Sequence, residues 1–214
     1  MQQRLAQAEA AQRGMAQTLF SLTGLQACAF PAIRSATRDF HDDCKIGGGG
    51  FGAVYRCSLP LGPQDVPRAV AVKLLAQDSL QGEAEFVNEI KLLSQMSHRN
   101  VVPVLGFAAE GKRRCVVTPL YTRGSLQAAL GTDRKSQLAF SAIDRIGACL
   151  DVANGIAFLH AQQPPIWHLD LKPDNVVCAL RAAMGWRAVE LCGRSMLHNV
   201  RRCERTPRKA GSGG

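Results

Sequence analysis

Lys73 lies inside RAVAVKLL, a nearly unbroken aliphatic run, and this placement constrains the fold more than any other feature of the chain. Such a run reads as a buried strand. An unpaired ammonium buried there costs several kcal/mol, so the lysine needs an anionic partner. Glu89 offers one in GEAEFVNEIKLLSQM, where Phe86, Ile90 and Leu93, with the neighbouring Leu92, fall at helical spacing opposite the charges. The alternative is a strand-edge lysine pointing to water. Upstream, CKIGGGGFGAVYRC reads as strand, glycine turn, strand, and Gly47, Gly49 and Gly52 have the spacing G-x-G-x-x-G. In a dinucleotide-binding turn a helix follows the glycines. Here the strand-like AVYRC follows, so a glycine-rich hairpin is expected, whose backbone N–H groups approach phosphates without Cβ interference.

The rest of the chain sorts into strands and then helices. VVPVLGF and RRCVVTPL are expected as two short strands separated by the turn AAEGK. GFAAEGKR nearly matches a phosphate-binding P-loop, but Arg113 stands where a Ser or Thr must reach magnesium and no helix follows; a hairpin with solvated charges is expected. From Gly124 the pattern turns helical. SLQAAL is short, and SAIDRIGACLDVANGIAFLH is long, with apolar residues at Ile143, Ile146, Leu150, Ile156 and Leu159. Strands followed by helices imply a two-lobed α+β fold. Residues 1 to about 27 are rich in Ala and Gln and read as a weakly amphipathic leader helix, loosely striped by Leu5, Met15, Leu19 and Leu22. Pro31 and the polar RSATRDFHDD read as a boundary.

WHLDLKPDNVV is the most specific stretch. It matches H-R-D-L-K-x-x-N at His168, Asp170, Leu171, Lys172 and Asn175, with Leu169 in place of Arg. With the glycine hairpin, Lys73 and Glu89 preceding it in order, the chain resembles a eukaryotic-type protein kinase. FPAIRSATRDF, IGGGGFGAVYR, EFVNEIKLLSQMSHRNVVPVLGF and TRGSL resemble the receptor-like and Pelle-related serine/threonine group, over about Phe30 to Cys178. The resemblance implies ATP and Mg2+ as cofactors and a Ser or Thr of an unidentified protein as acceptor. It implies a complete small lobe of antiparallel sheet plus one helix over about 40–118, a hinge at 119–123, and only the start of a helical large lobe at 124–178. Gly47, Gly49, Gly52 and Lys73 would hold the phosphates, with Glu89 orienting Lys73. Val54 and Ala71 would line the adenine pocket, Thr118 would be the gatekeeper, and the Pro119 carbonyl and Tyr121 N–H would meet the adenine edge. Asp170 would orient the acceptor hydroxyl, Lys172 would offset the charge of the transferred phosphate, and Asn175 would bind the metal. Leu169 bears on regulation, since the family's Arg pairs with a phosphorylated activation loop.

The family pattern next requires Asp-Phe-Gly and Ala-Pro-Glu, and neither occurs. The nearest triplet is Leu191-Cys192-Gly193, and leucine cannot bind a hard cation. Residues 179–214 show no sustained period and read as a basic, disordered tail. Three accounts compete: a tail read from an intron or another frame, which the lost period and the surge of Arg favour; a pseudokinase or interaction module; and a basic binding arm. Phosphoryl transfer by this chain is therefore in question, and the apolar stripe of 141–160 is expected to lie exposed or to be covered by a partner helix or oligomer.

Charge adds little. The net charge is +9, but the tail from Ala179 holds eight basic and two acidic residues, so six of the nine charges lie there and the body is close to neutral. Nucleic acid is not an expected partner. The eight cysteines form no Cys-x-x-Cys pair, which argues against structural zinc and for reduced thiols. No apolar window reaches the length of a signal peptide or a membrane span, so the expected location is cytoplasmic.

Overall fold

A computed structural model describes residues 14, 17, 19–49, 52–62, 64–76, 83–131, 140–181, 185–191 and 201–202, without the side chains of 83–85, 89, 180–181, 185–191 and 201–202. Leu5 and Met15 of the expected leader stripe lie outside these residues.

The small lobe is built on β1 (Gln26–Ala27), β2 (Lys45–Gly49), β3 (Gly52–Leu61), β4 (Val66–Leu75), β5 (Gly106–Glu110) and β6 (Arg113–Pro119). They form one sheet in the order β1–β5–β6–β4–β3–β2. Neighbours are antiparallel except β1, which lies parallel to β5 with Gln26 opposite Gly106. A Cβ on Gly106 would come within 2.6 Å of the Gln26 carbonyl oxygen, so glycine is needed for β1 to dock.

RAVAVKLL forms the C-terminal part of β4, the sheet's central strand, because its aliphatic residues suit a ladder buried on both sides. The side-chain period of two divides its work. Val70 and Val72 are wholly buried on the outer face; Ala71 and Lys73 stand on the other. The outer face is covered by α1 (Phe30–Ala36), which buries Phe30 and Ile33 against Leu59, Leu61, Val70, Val72, Cys115 and Val117. The sequence FPAIRSATRDF is thus a docked helix and turn rather than a plain boundary. The helix α2 (Glu83–Ser94) buries Phe86, Ile90 and Leu93 in a second cluster with Leu75, Phe107 and Val116, as its spacing predicts. Leu19 joins that cluster at 0% exposure while Leu22 is exposed, so only part of the leader's stripe is used.

One strand is displaced from its expected place. VVPVL forms no strand, since Pro103 has no N–H for a ladder. Strand β5 begins at Gly106 and includes the AAE expected in the turn, so only Gly111 and Lys112 connect it to β6. The P-loop look-alike is therefore this hairpin.

The large-lobe side contains α3 (Leu126–Leu130), capped by the Ser125 hydroxyl, which accepts from the Ala128 N–H at 3.3 Å. It continues with α4 (Ala142–His160), opened by a Ser141–Asp144 capping box. Ala148, Gly155 and Leu159 are buried; Ile143, Ile146 and Leu150 are 68%, 63% and 60% exposed. Then come β7 (Ile166–Trp167), a 3-10 turn at Pro173–Asn175 and β8 (Val176–Arg181). The expectation of a structureless tail from 179 gives way over β9 (Gly185–Leu191), which pairs antiparallel with β8. The β-branched VV of β8 leaves backbone groups that need a ladder partner. The short β10 (Arg201–Arg202) pairs with β7. No helix among the described residues is long and apolar enough to cross a membrane.

Candidate active site

The glycine hairpin joins β2 to β3, with Gly47 opposite Val54 and Gly49 opposite Gly52. Gly52 has φ +120°, and a Cβ there would sit 2.1 Å from the Leu74 carbonyl oxygen. Only glycine fits. Gly49, by contrast, has no non-neighbouring atom of the described residues within 4 Å of an added Cβ. The hairpin lines an open hollow of about 640 Å3 with Lys45, Ile46, Leu74 and Leu75.

Beside it lies a cavity of about 520 Å3, which shares Ile46 with the hollow. Sheet register explains its lining. Lys73 pairs with Val54 on one side and Val116 on the other; Ala71 pairs with Arg56 and Thr118. These six residues share one face of the sheet and all line the cavity. The Thr118 hydroxyl donates to the Ala71 carbonyl at 3.4 Å, tying the end of β6 to β4. Pro119, Tyr121, Asp174 and Val177 also line it. Of the residues that sequence reasoning named, Val54, Ala71, Lys73, Thr118, Pro119 and Tyr121 line this cavity. Sequence reasoning missed Arg56 and Val116, which two-residue alternation from Val54 and Thr118 would have found. It also missed Leu93, read only as a core residue of the helix, and Val102 and Val104, read only as part of a strand. Glu89 lies in α2, but its side chain is outside the described residues.

Asp170, Lys172 and Asn175 form a separate cluster next to this cavity. The Asn175 carboxamide nitrogen donates to the Asp170 backbone oxygen at 2.7 Å and to its carboxylate Oδ2 at 2.8 Å. The Lys172 ammonium lies 3.2 Å from Oδ1. Partial desolvation pulls the Asp170 carboxyl upward, but hydrogen bonds from Asn175 and Lys172 and the charges of Lys172 and His168 outweigh it and hold the group below its ordinary value. Asp170 is thus an ionised acceptor at neutral pH. His168 is buried, and the backbone turns at Leu169 with φ +55°, a left-handed conformation that non-glycine residues avoid. Leu169 is 58% exposed.

The carboxamide oxygen of Asn175 is fully buried and has no hydrogen-bond partner among the described residues. An unpaired carbonyl-type oxygen beside an ionised carboxylate suits a hard cation. The fit is partial. Leu191 pairs with Val176 and offers no ligand, and no cluster of three His, Cys, Asp or Glu residues among those described could hold a metal. Four of the thiols are not poised for chemistry. Burial pushes those of Cys28, Cys57 and Cys178 to about 11 and that of Cys115 to about 12.

A family model described as protein tyrosine and serine/threonine kinase matches residues 40–207, most of the chain. The chain belongs to the protein kinase family. Among curated proteins of Arabidopsis thaliana, a probable LRR receptor-like serine/threonine-protein kinase is 41% identical over 149 residues, covering 69% of this chain and 15% of the relative. The serine/threonine-protein kinase CDG1 is 37% identical over 153 residues, covering 71% of the chain and 34% of the relative. Cold-responsive protein kinase 1 is 38% identical over 148 residues, covering 68% and 37%. These relatives place this kinase chain in the receptor-like, Pelle-related serine/threonine group. The chain spans well under half of their length. The kinase match also runs past Cys178, where the resemblance read from motifs stops, and takes in β9 and β10.

Proposed function

We propose that this chain binds ATP as the nucleotide-holding part of a serine/threonine kinase and that its own capacity for phosphoryl transfer to protein Ser or Thr hydroxyls is negligible. The observation that carries the reading is that Val54, Ala71, Lys73, Thr118, Pro119 and Tyr121, far apart in sequence, line one cavity. Adenine fits between the small apolar side chains Val54 and Ala71, with the Pro119 carbonyl and Tyr121 N–H at its edge. Lys73, with Glu89 as counterion, and the amides around Gly47, Gly49 and Gly52 take the phosphates. Asp170, ionised and braced by Asn175 and Lys172, is fit to orient an acceptor hydroxyl, and Lys172 to offset charge on the transferred phosphoryl group. Mg2+ would supply charge neutralisation at the phosphates, and Asn175 Oδ1 is the residue atom suited to hold it. A second carboxylate is lacking where the family places Asp-Phe-Gly. This favours weak, largely metal-insensitive binding and is also the observation behind a second reading, a nucleotide-binding module whose exposed α4 face meets a partner helix or a second copy.

Titration of the full chain with a fluorescent ATP analogue, with and without Mg2+, tests the reading. Saturable binding that changes little with Mg2+ and is weakened at least about tenfold in Lys73→Met is the expected result. Absence of binding, or robust phosphoryl transfer abolished by Asp170→Ala, would overturn it.

A further inference from the structure

The segment just upstream of the kinase match holds a strained turn. Arg38, Asp39 and Phe40 have φ of 51°, 56° and 58°, three consecutive non-glycine residues in the left-handed region. Such a turn persists only where its surroundings over-determine it. Thr37 is fully buried; its hydroxyl donates to the Ile33 carbonyl at 2.8 Å and accepts from the Phe40 N–H at 3.1 Å. Exposed ion pairs Arg34–Asp39 at 3.0 Å and Arg38–Asp43 at 2.9 Å span it, and such surface pairs contribute little by themselves. Backbone hydrogen bonds also hold the turn, from the Asp39 N–H to the Arg34 carbonyl at 2.7 Å and from the His41 N–H to the Thr37 carbonyl at 3.0 Å, and the turn directs Phe40 onto the sheet.

The Phe40 ring meets Tyr55 edge-on at 5.2 Å, and the Arg113 guanidinium lies 4.8 Å from the Phe30 centroid and 4.9 Å from that of Phe40. Arg113 thus bridges both aromatic rings of the upstream segment. Tyr55 is nearly buried and pairs with Lys45, the first residue of the glycine hairpin, and with Val72. A second link runs beside it: the Arg56 guanidinium, on the cavity wall, donates to the Asp43 carbonyl at 3.4 Å. Both links end on the residues directly after Val54. Strand β2 is an edge strand with mostly exposed residues, so little else among the described contacts fixes its height.

We propose that Phe40 and Arg113 are positioning residues for nucleotide binding, a clamp through which the upstream segment sets the glycine hairpin over the cavity. This rests on the ATP-binding reading above, so its test has one arm that needs no nucleotide. Amide hydrogen exchange on the full chain, nucleotide-free, should be roughly tenfold faster over residues 45–56 in Arg113→Ala and Phe40→Ala, with α3 and α4 unchanged. Phe40→Tyr, which keeps the ring, should restore wild-type exchange. Affinity for the fluorescent ATP analogue should fall about three- to tenfold in the two alanine variants and recover in Phe40→Tyr. Hairpin exchange unchanged in Arg113→Ala while residues 30–40 exchange faster would overturn the proposal, since the segment would then merely cover the core. If Phe40→Ala does not fold, Arg113→Ala and Phe40→Tyr decide. If the wild type binds no analogue, the function reading fails and the exchange arm still judges the clamp.

Discussion

Strand β4 and helix α4 are both rich in apolar residues, yet their surfaces are finished to different degrees. Val70 and Val72 on β4 are fully buried under a segment supplied by the chain itself, and Ala71 and Lys73 face a cavity. On α4, Leu159 and Ala148 are buried, but the Ile143–Ile146–Leu150 row lies at 60–68% exposure. The difference separates two kinds of apolar pattern. One is closed by local connections, so the small lobe carries its own core. The other has the spacing of a packed helix face without a packing surface among the described residues, and it is a candidate for an interface or for aggregation.

The comparison breaks first if the small lobe proves soft. Phe86→Ala, deep in the cluster beneath the sheet, should cost about 3–5 kcal/mol in chemical denaturation, enough to unfold a marginal domain. Next in size is a contrast within the hairpin. Gly52→Ala should cost about 2–3 kcal/mol because its Cβ would strike the Leu74 carbonyl at a positive φ, whereas Gly49→Ala should cost no more than about 1 kcal/mol. Equal losses in the two would mean that the hairpin relaxes freely and is not fixed by β4. Smaller still is a pH effect at the Asp170–Asn175 loop. The depressed Asp170 carboxyl contributes stability that is present above its unfolded value and is lost as pH falls through its lower folded value. Carboxyl NMR should show the Asp170 midpoint below the ordinary one of about 3.9, and Asn175→Ala should move it upward. Least in stability is Ile146→Lys on α4, expected within about 0.5 kcal/mol of wild type by melting, but with more protein remaining soluble. A loss there as large as that of Phe86→Ala would erase the contrast between the two surfaces.

The sequence made the candidate site more legible than its supports. Lys73, the glycine hairpin and the Asp170–Asn175 loop announce themselves because each puts a polar or conformationally special residue where an apolar or regular one is the default. The register that sets Val54, Lys73 and Val116 side by side then follows from strand alternation. The upstream clamp stayed hidden for the opposite reason. Phe30 and Ile33 are the only two buried residues of a seven-residue helix, too short for a period, and the polar text around Thr37 conceals a side chain with no exposure. Positive φ at Arg38, Phe40 and Leu169 has no signature either, because none of them is glycine, asparagine or aspartate. Strand β5 was misplaced because VVPVL has the composition of a strand, while the ladder needs the N–H that Pro103 lacks.

The two-residue strand β1 has a consequence for how a fragment of this chain should be cut. The family match begins at residue 40, which invites a boundary there. A cut at that point would remove Gln26 and Ala27 and uncover the outer ladder of β5, where the N–H and C=O groups now partnered by β1 would be free to recruit a strand from another molecule. It would also remove the Gln26 side chain, whose amide oxygen accepts from the Gly62 N–H at 2.7 Å and so pins the β3–β4 connection. A fragment beginning upstream of Leu19 keeps this side of β5 occupied by its own chain.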